Sequence, residues 1–134
     1  MEEKFSFNCS LETFFEHYLR FKRPYINAVL TQIHKKPSRL NDNPLRVLAQ
    51  LLFYNNSFKD LNEKTRWKMV FDYDTKIKIC DKLKMLDTHL NSYLSQLRRL
   101  GIVKGKRVAE WYVVYPESDM RLAFDLKVDM SHEE

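Results

Sequence analysis

The stretch Ile79-Cys80-Asp81-Lys82-Leu83-Lys84-Met85-Leu86-Asp87-Thr88-His89-Leu90-Asn91-Ser92-Tyr93-Leu94-Ser95-Gln96-Leu97-Arg98-Arg99-Leu100-Gly101-Ile102-Val103 decides how the chain is organised. From Thr75 to Met85, Ile77, Ile79, Cys80 and Leu83 recur at helical spacing, with Asp74 as the expected N-cap. After Lys84-Met85-Leu86 a second face begins, made of Leu90, Tyr93, Leu94, Leu97 and Leu100. Asp87 or Thr88 starts this helix, and Gly101 suits the left-handed position that ends it. Two helices therefore follow each other across a short turn.

Outward toward the C-terminus, Ile102 and Val103 read as a strand and Gly105-Lys106 as a tight turn. Val108 to Tyr115 is rich in β-formers, including Trp111, Val113 and Val114. The expected element is a two-stranded hairpin with a basic tip, stopped by Pro116. Toward the N-terminus, Trp67, Met69, Phe71 and Tyr73 alternate with Arg66, Lys68, Val70 and Asp72, the period of a half-buried strand. Both tryptophans are expected in the core.

Asn43 and Pro44 are expected to open a strongly apolar helix carrying Leu45, Val47, Leu48, Leu51, Leu52 and Phe53, central to the core and closed by Asn55-Asn56-Ser57. Before it, Leu11, Phe14, Phe15, Tyr18 and Leu19 mark a helix from Ser10, its cap, to about Arg23. Pro24 should stop or kink that helix. Tyr25, Ile26, Val29, Leu30 and Ile33 then resume an apolar face, as a helix or as an extended strand, until Lys35-Lys36-Pro37. Leu122, Phe124, Leu126 and Val128 alternate as a last strand able to pair with an edge in this chain or in a partner, and Ser131 to Glu134 should fray.

The order helix, strand, helix, turn, helix, hairpin resembles the winged helix-turn-helix family. Cys80 occupies the place of the small residue that packs against the following helix. Leu90, Leu94 and Leu97 sit where the recognition helix is anchored, and Leu100-Gly101-Ile102-Val103 matches the usual approach to the wing. Two departures stand out: Lys84 where many members carry glycine, and Leu86 where they carry a serine or threonine cap. These suggest a displaced turn with the cap passing to Asp87. A narrower similarity, to RepL-type replication initiators of plasmids and phages, rests on Tyr112-Val113-Val114-Tyr115-Pro116-Glu117. The resemblance implies an α+β fold: a three-helix helix-turn-helix core with a small antiparallel sheet and a β-hairpin wing, plus an N-terminal helical extension. The expected divisions are residues 1–42, which pack on the core or dimerise, a winged-helix domain at 43–116, and an acidic strand or tail at 117–134. It also implies a third helix that enters the DNA major groove, in a replication initiator or transcription regulator of a plasmid or phage.

Composition bounds these expectations. The chain has 134 residues, 44% hydrophobic and 31% charged, which suits one folded domain and is too short for a typical barrel enzyme. Charges interrupt every hydrophobic stretch before the ~20 residues a membrane-spanning helix needs, and Met1 to Lys4 lead into no signal core. The expected location is the cytoplasm, that of a host if the chain is phage-encoded, with no membrane partner. Cys9 and Cys80 form neither a metal motif nor a disulfide framework, and Cys80 reads as a small core residue.

The net charge of +5 is unevenly spread. From His17 to Arg39 there are six basic residues and no acid, and from Asp74 to Arg107 nine basic residues against three acids. Residues 117–134 hold six acids against two bases. Basic blocks of this kind attract polyanions, although a lysine-rich surface also serves simple solvation. With Leu90, Leu94 and Leu97 turned inward, Thr88, His89, Asn91, Ser92, Ser95, Gln96 and Arg99 should face outward as a base-reading surface. Amides pair with adenine edges, hydroxyls with either kind of pair, and arginine with guanine or phosphate. Lys76, Lys78 and Lys82 on one side, and Lys104, Lys106 and Arg107 on the wing, are the expected phosphate contacts.

Catalysis is not expected. No GxSxG, HExxH or glycine-rich phosphate loop occurs, and His17, His34, His89 and His132 have no ligand spacing, so neither metal nor cofactor is expected. The partner expected is double-stranded DNA. The rival expectation is a protein-interaction or assembly component of a phage, docking through the acidic C-terminal segment by strand addition.

Overall fold

Ser10 caps the first helix as expected: its Oγ accepts the Thr13 N–H at 3.4 Å. The structure, a computed structural model, describes the backbone of residues 2–116 and 120–127 and the side chains of residues 10–116. Helix α1 spans Leu11–His34 and passes straight through Pro24. Proline removes one backbone donor, and the residue before it disfavours helical angles. Here burial of Leu19, Ile26 and Leu30 on both sides of the proline holds the helix together. Arg23, the disfavoured residue, is fastened to the Asp42 carboxylate at 2.7 Å.

Helix α2, Asp42–Ser57, is buried on almost every face and touches all four of the other helices. Its cap is Asn41, two residues earlier than expected, and Pro44 lies within the first turn, where a missing N–H costs no helical bond. Helix α3 is Glu63–Val70, α4 Tyr73–Leu83 and α5 Asp87–Leu100. A 3-10 turn, Glu110–Tyr112, follows. The buried side chains of all these segments form one core.

The expected α+β winged helix is corrected by this arrangement. The body is five helices, and between residues 10 and 116 the sole β contact is a bridge from Val103 to Val108. There is neither a sheet nor a β-hairpin wing in it. The segment expected to supply the first strand is α3. Its alternation of large and charged side chains is overridden by burial of Trp67, Val70 and Phe71, an i, i+3, i+4 set, and by the Asn62 side chain, which accepts the Thr65 N–H at 2.9 Å. With no first strand, the wing has nothing to extend. Its tip closes through Lys104 N–H to Arg107 O at 2.9 Å, and one further bond joins Ala109 N–H to Ile102 O at 2.8 Å. The chain then turns into the 3-10 segment, burying Tyr112 in the core.

Trp111 is also corrected: it is 42% exposed and lies against α1, with Lys22 Nζ 4.4 Å from its ring centre and the Tyr25 ring at 5.7 Å. Trp67 is buried. Outside the helical body, the backbone segments β1, Glu2–Cys9, and β2, Met120–Lys127, run antiparallel with Phe5 opposite Phe124. Residues 117–119 and 128–134, including the expected frayed end and His132, lie outside the described residues.

Candidate nucleic-acid interface

The turn between α4 and α5 sets the candidate surface. Lys84 takes φ 57° and ψ 49°, the left-handed conformation usually given to glycine. Leu86 is the residue before α5 and offers no capping side chain. The turn is therefore not displaced, and Asp87 is the first helical residue rather than the cap. Asp72, not Asp74, caps α4, accepting the Thr75 N–H at 2.9 Å. Cys80 is buried against the start of α5, 3.5 Å from Asp87 Oδ1. Burial, then the neighbouring carboxylates, pushes its thiol pKa up, so it sits there as a neutral thiol.

Leu90, Leu94 and Leu97 are buried, and Thr88, His89, Asn91, Ser92, Ser95 and Arg99 are exposed, with Gln96 half-buried. These seven polar residues share the outer face of one helix, and no carboxylate occurs between Thr88 and Ala109. Tyr93 turns to one side, where its hydroxyl accepts from Asn43 Nδ2 at 3.0 Å and ties α5 to the start of α2.

The two edges of this face meet different loops. Arg98 and Gln96 are two residues apart, about 200° around a helix axis. Arg98 Nε donates to the Gly105 carbonyl at 3.2 Å, so the 104–107 loop lies along its edge. Gln96 lines, with Arg99, His34, Lys36 and Arg39, an open depression of ≈ 360 Å³ between α5 and the loop that follows α1. His34 Nε2 lies 2.9 Å from the Leu100 carbonyl and joins the C-terminal ends of α1 and α5.

The expected phosphate contacts are scattered. Lys104 and Lys106 are exposed at the loop, and with Lys64 and Lys68 of α3 they surround a second depression reaching Trp67. Arg107, in the same loop, is paired with Glu63 at 2.8 Å. Lys76 and Lys78 are also two residues apart on α4, again about 200°, and so occupy opposite sides of it. Lys82 is paired with Glu12 of α1 and lies over the Phe53 ring. Sequence reasoning missed Lys36 and Arg39 as members of the surface. Their signal is the acid-free run from His17 to Arg39, which in sequence reads as a polyanion-attracting block with no residue assigned to the site.

Among the described residues no group of three or more His, Cys, Asp or Glu could hold a metal ion. None of the described helices is long and apolar enough to cross a membrane. Compared with protein-family models, with curated proteins and with solved structures, the chain has no match.

Proposed function

We propose that this protein binds double-stranded DNA, with α5 in the major groove and the 104–107 loop beside a phosphate backbone. The observation that carries the reading is the outer face of α5: amides, hydroxyls and a guanidinium, free of carboxylates, on a helix anchored by three buried leucines. Such groups read base edges, whereas acids would be repelled by the backbone. An α-helix is about 10–12 Å across and the major groove about 12 Å wide, so the helix fits with its two edges toward the two strands. A role in replication or transcription of a plasmid or phage belongs to this proposal through the sequence resemblance.

The rival, docking of a partner by strand addition at Leu122 to Val128, draws less support, because residues 120–127 already pair with Glu2–Cys9. Selection from random duplexes tests the proposal. The wild-type chain should enrich a preferred sequence. The triple substitution Asn91→Ala, Ser92→Ala, Ser95→Ala, which leaves the charge unchanged, should abolish that preference while keeping helicity and the salt dependence of binding. Equal preference in the two proteins would refute the assignment of α5 as the reading element.

A further inference from the structure

The depression between the loop after α1 and the C-terminal half of α5 is lined by three cations and by no carboxylate. Several cations elsewhere are neutralised by carboxylates: Arg20 and Arg23 share Asp42, Lys82 has Glu12, and Arg107 has Glu63. Lys36, Arg39 and Arg99 surround one depression and form no ion pair among the described residues. Both walls are drawn from acid-free sequence, residues 17–41 and 88–109. Three uncompensated cations therefore face a common space, beside the Gln96 amide.

The loop that carries two of them is fixed in place. Thr31 Oγ1 accepts the Ser38 N–H at 3.0 Å and donates to the Ser38 carbonyl at 3.3 Å. Asn27 Oδ1 accepts the Leu40 N–H at 2.8 Å, and the Leu40 side chain is buried. The bond between His34 and Leu100 holds the opposite wall. An anion binding here meets a preformed loop, so little conformational entropy is lost on binding.

We propose that this depression is a clamp for backbone phosphate of duplex DNA, with Lys36, Arg39 and Arg99 as the cations and Gln96 as an amide donor. The assignment rests on the DNA-binding reading above and adds the second strand to it. The clamp lies on the edge of α5 opposite the 104–107 loop, where the other backbone runs when the helix occupies a major groove. Residues N-terminal to α2 then belong to the contact surface, which a fragment beginning at residue 43 would lack.

The test uses the full chain and a labelled duplex of random sequence, with affinity measured across a salt series. Each phosphate contact adds about 0.9 to the steepness of log K against log salt. The double substitution Lys36→Ala, Arg39→Ala should therefore flatten the slope by about 2, with helicity unchanged. The pair Lys36→Arg, Arg39→Lys should restore it. Lys59→Ala, past the far end of α2, should leave the slope as in the wild type. Inorganic phosphate at matched ionic strength should not displace the duplex; displacement would assign the depression to free phosphate instead. An unchanged slope in the alanine pair would overturn the clamp while leaving DNA binding by α5 intact. Absence of duplex binding by the wild type at low salt would overturn both.

Discussion

Lys84 and Leu86 hold the two positions of the α4–α5 turn at which their side chains help least. A left-handed backbone costs a residue with a Cβ about 1–2 kcal/mol relative to its usual regions, and glycine escapes that cost. Lys84→Gly should raise stability by about 1 kcal/mol in denaturant unfolding. Leu86 is 67% exposed, so replacing it removes no core, and Leu86→Ser should add an N-cap worth about 1 kcal/mol. Failure of both to stabilise would mean that the turn differs from the one described. The same two residues were visible in sequence as departures from the winged helix-turn-helix pattern, and they hold the left-handed C-cap of α4 and the N-cap of α5. Asp42 shows what partnership does at this scale. Hydrogen bonds from Arg23 and then Arg20 hold its carboxyl below the usual carboxylate range, so it stays ionised and keeps the start of α2 against α1.

Among the elements, α1 shows a local rule outweighed by burial. Pro24 read as a stop, yet the helix continues because apolar residues on both sides of it enter the core. Pro24 is exposed, so Pro24→Ala should restore a backbone bond at no packing cost and stabilise the protein by about 1–3 kcal/mol. A loss of stability would show that the proline conformation is required. Helix α3 shows the reverse difficulty. Eight residues are few enough to satisfy a period of two by chance, and only contact with α2 and α4 decides which side chains are covered. By contrast α5 was legible except at its start, where Leu86 and not Asp87 holds the cap position. Its leucines, polar face and closing Gly101 agree at every level, and Gly101 adopts φ 81° as its position demands. The wing was not legible, because a hairpin's stability depends on a neighbouring strand far away in sequence.

For the whole molecule, α2 is the organising element. Its first turn is tied to α1 through the Arg23–Asp42 pair and to α5 through the Asn43–Tyr93 bond. Sequence showed two basic blocks separately. Only the packing places part of the first, Lys36 and Arg39, beside Gln96 and Arg99 of the second, while Lys82 and Arg107 turn to carboxylates within the fold. The division at residue 42 falls between residues that line one depression. The most direct measurement is a backbone NMR titration of the full chain with a selected duplex. The account predicts that amide shifts concentrate at residues 88–99, with flanking changes at 36–39 and 104–106. Changes confined to other surfaces, with the amides of α5 unmoved, would contradict it.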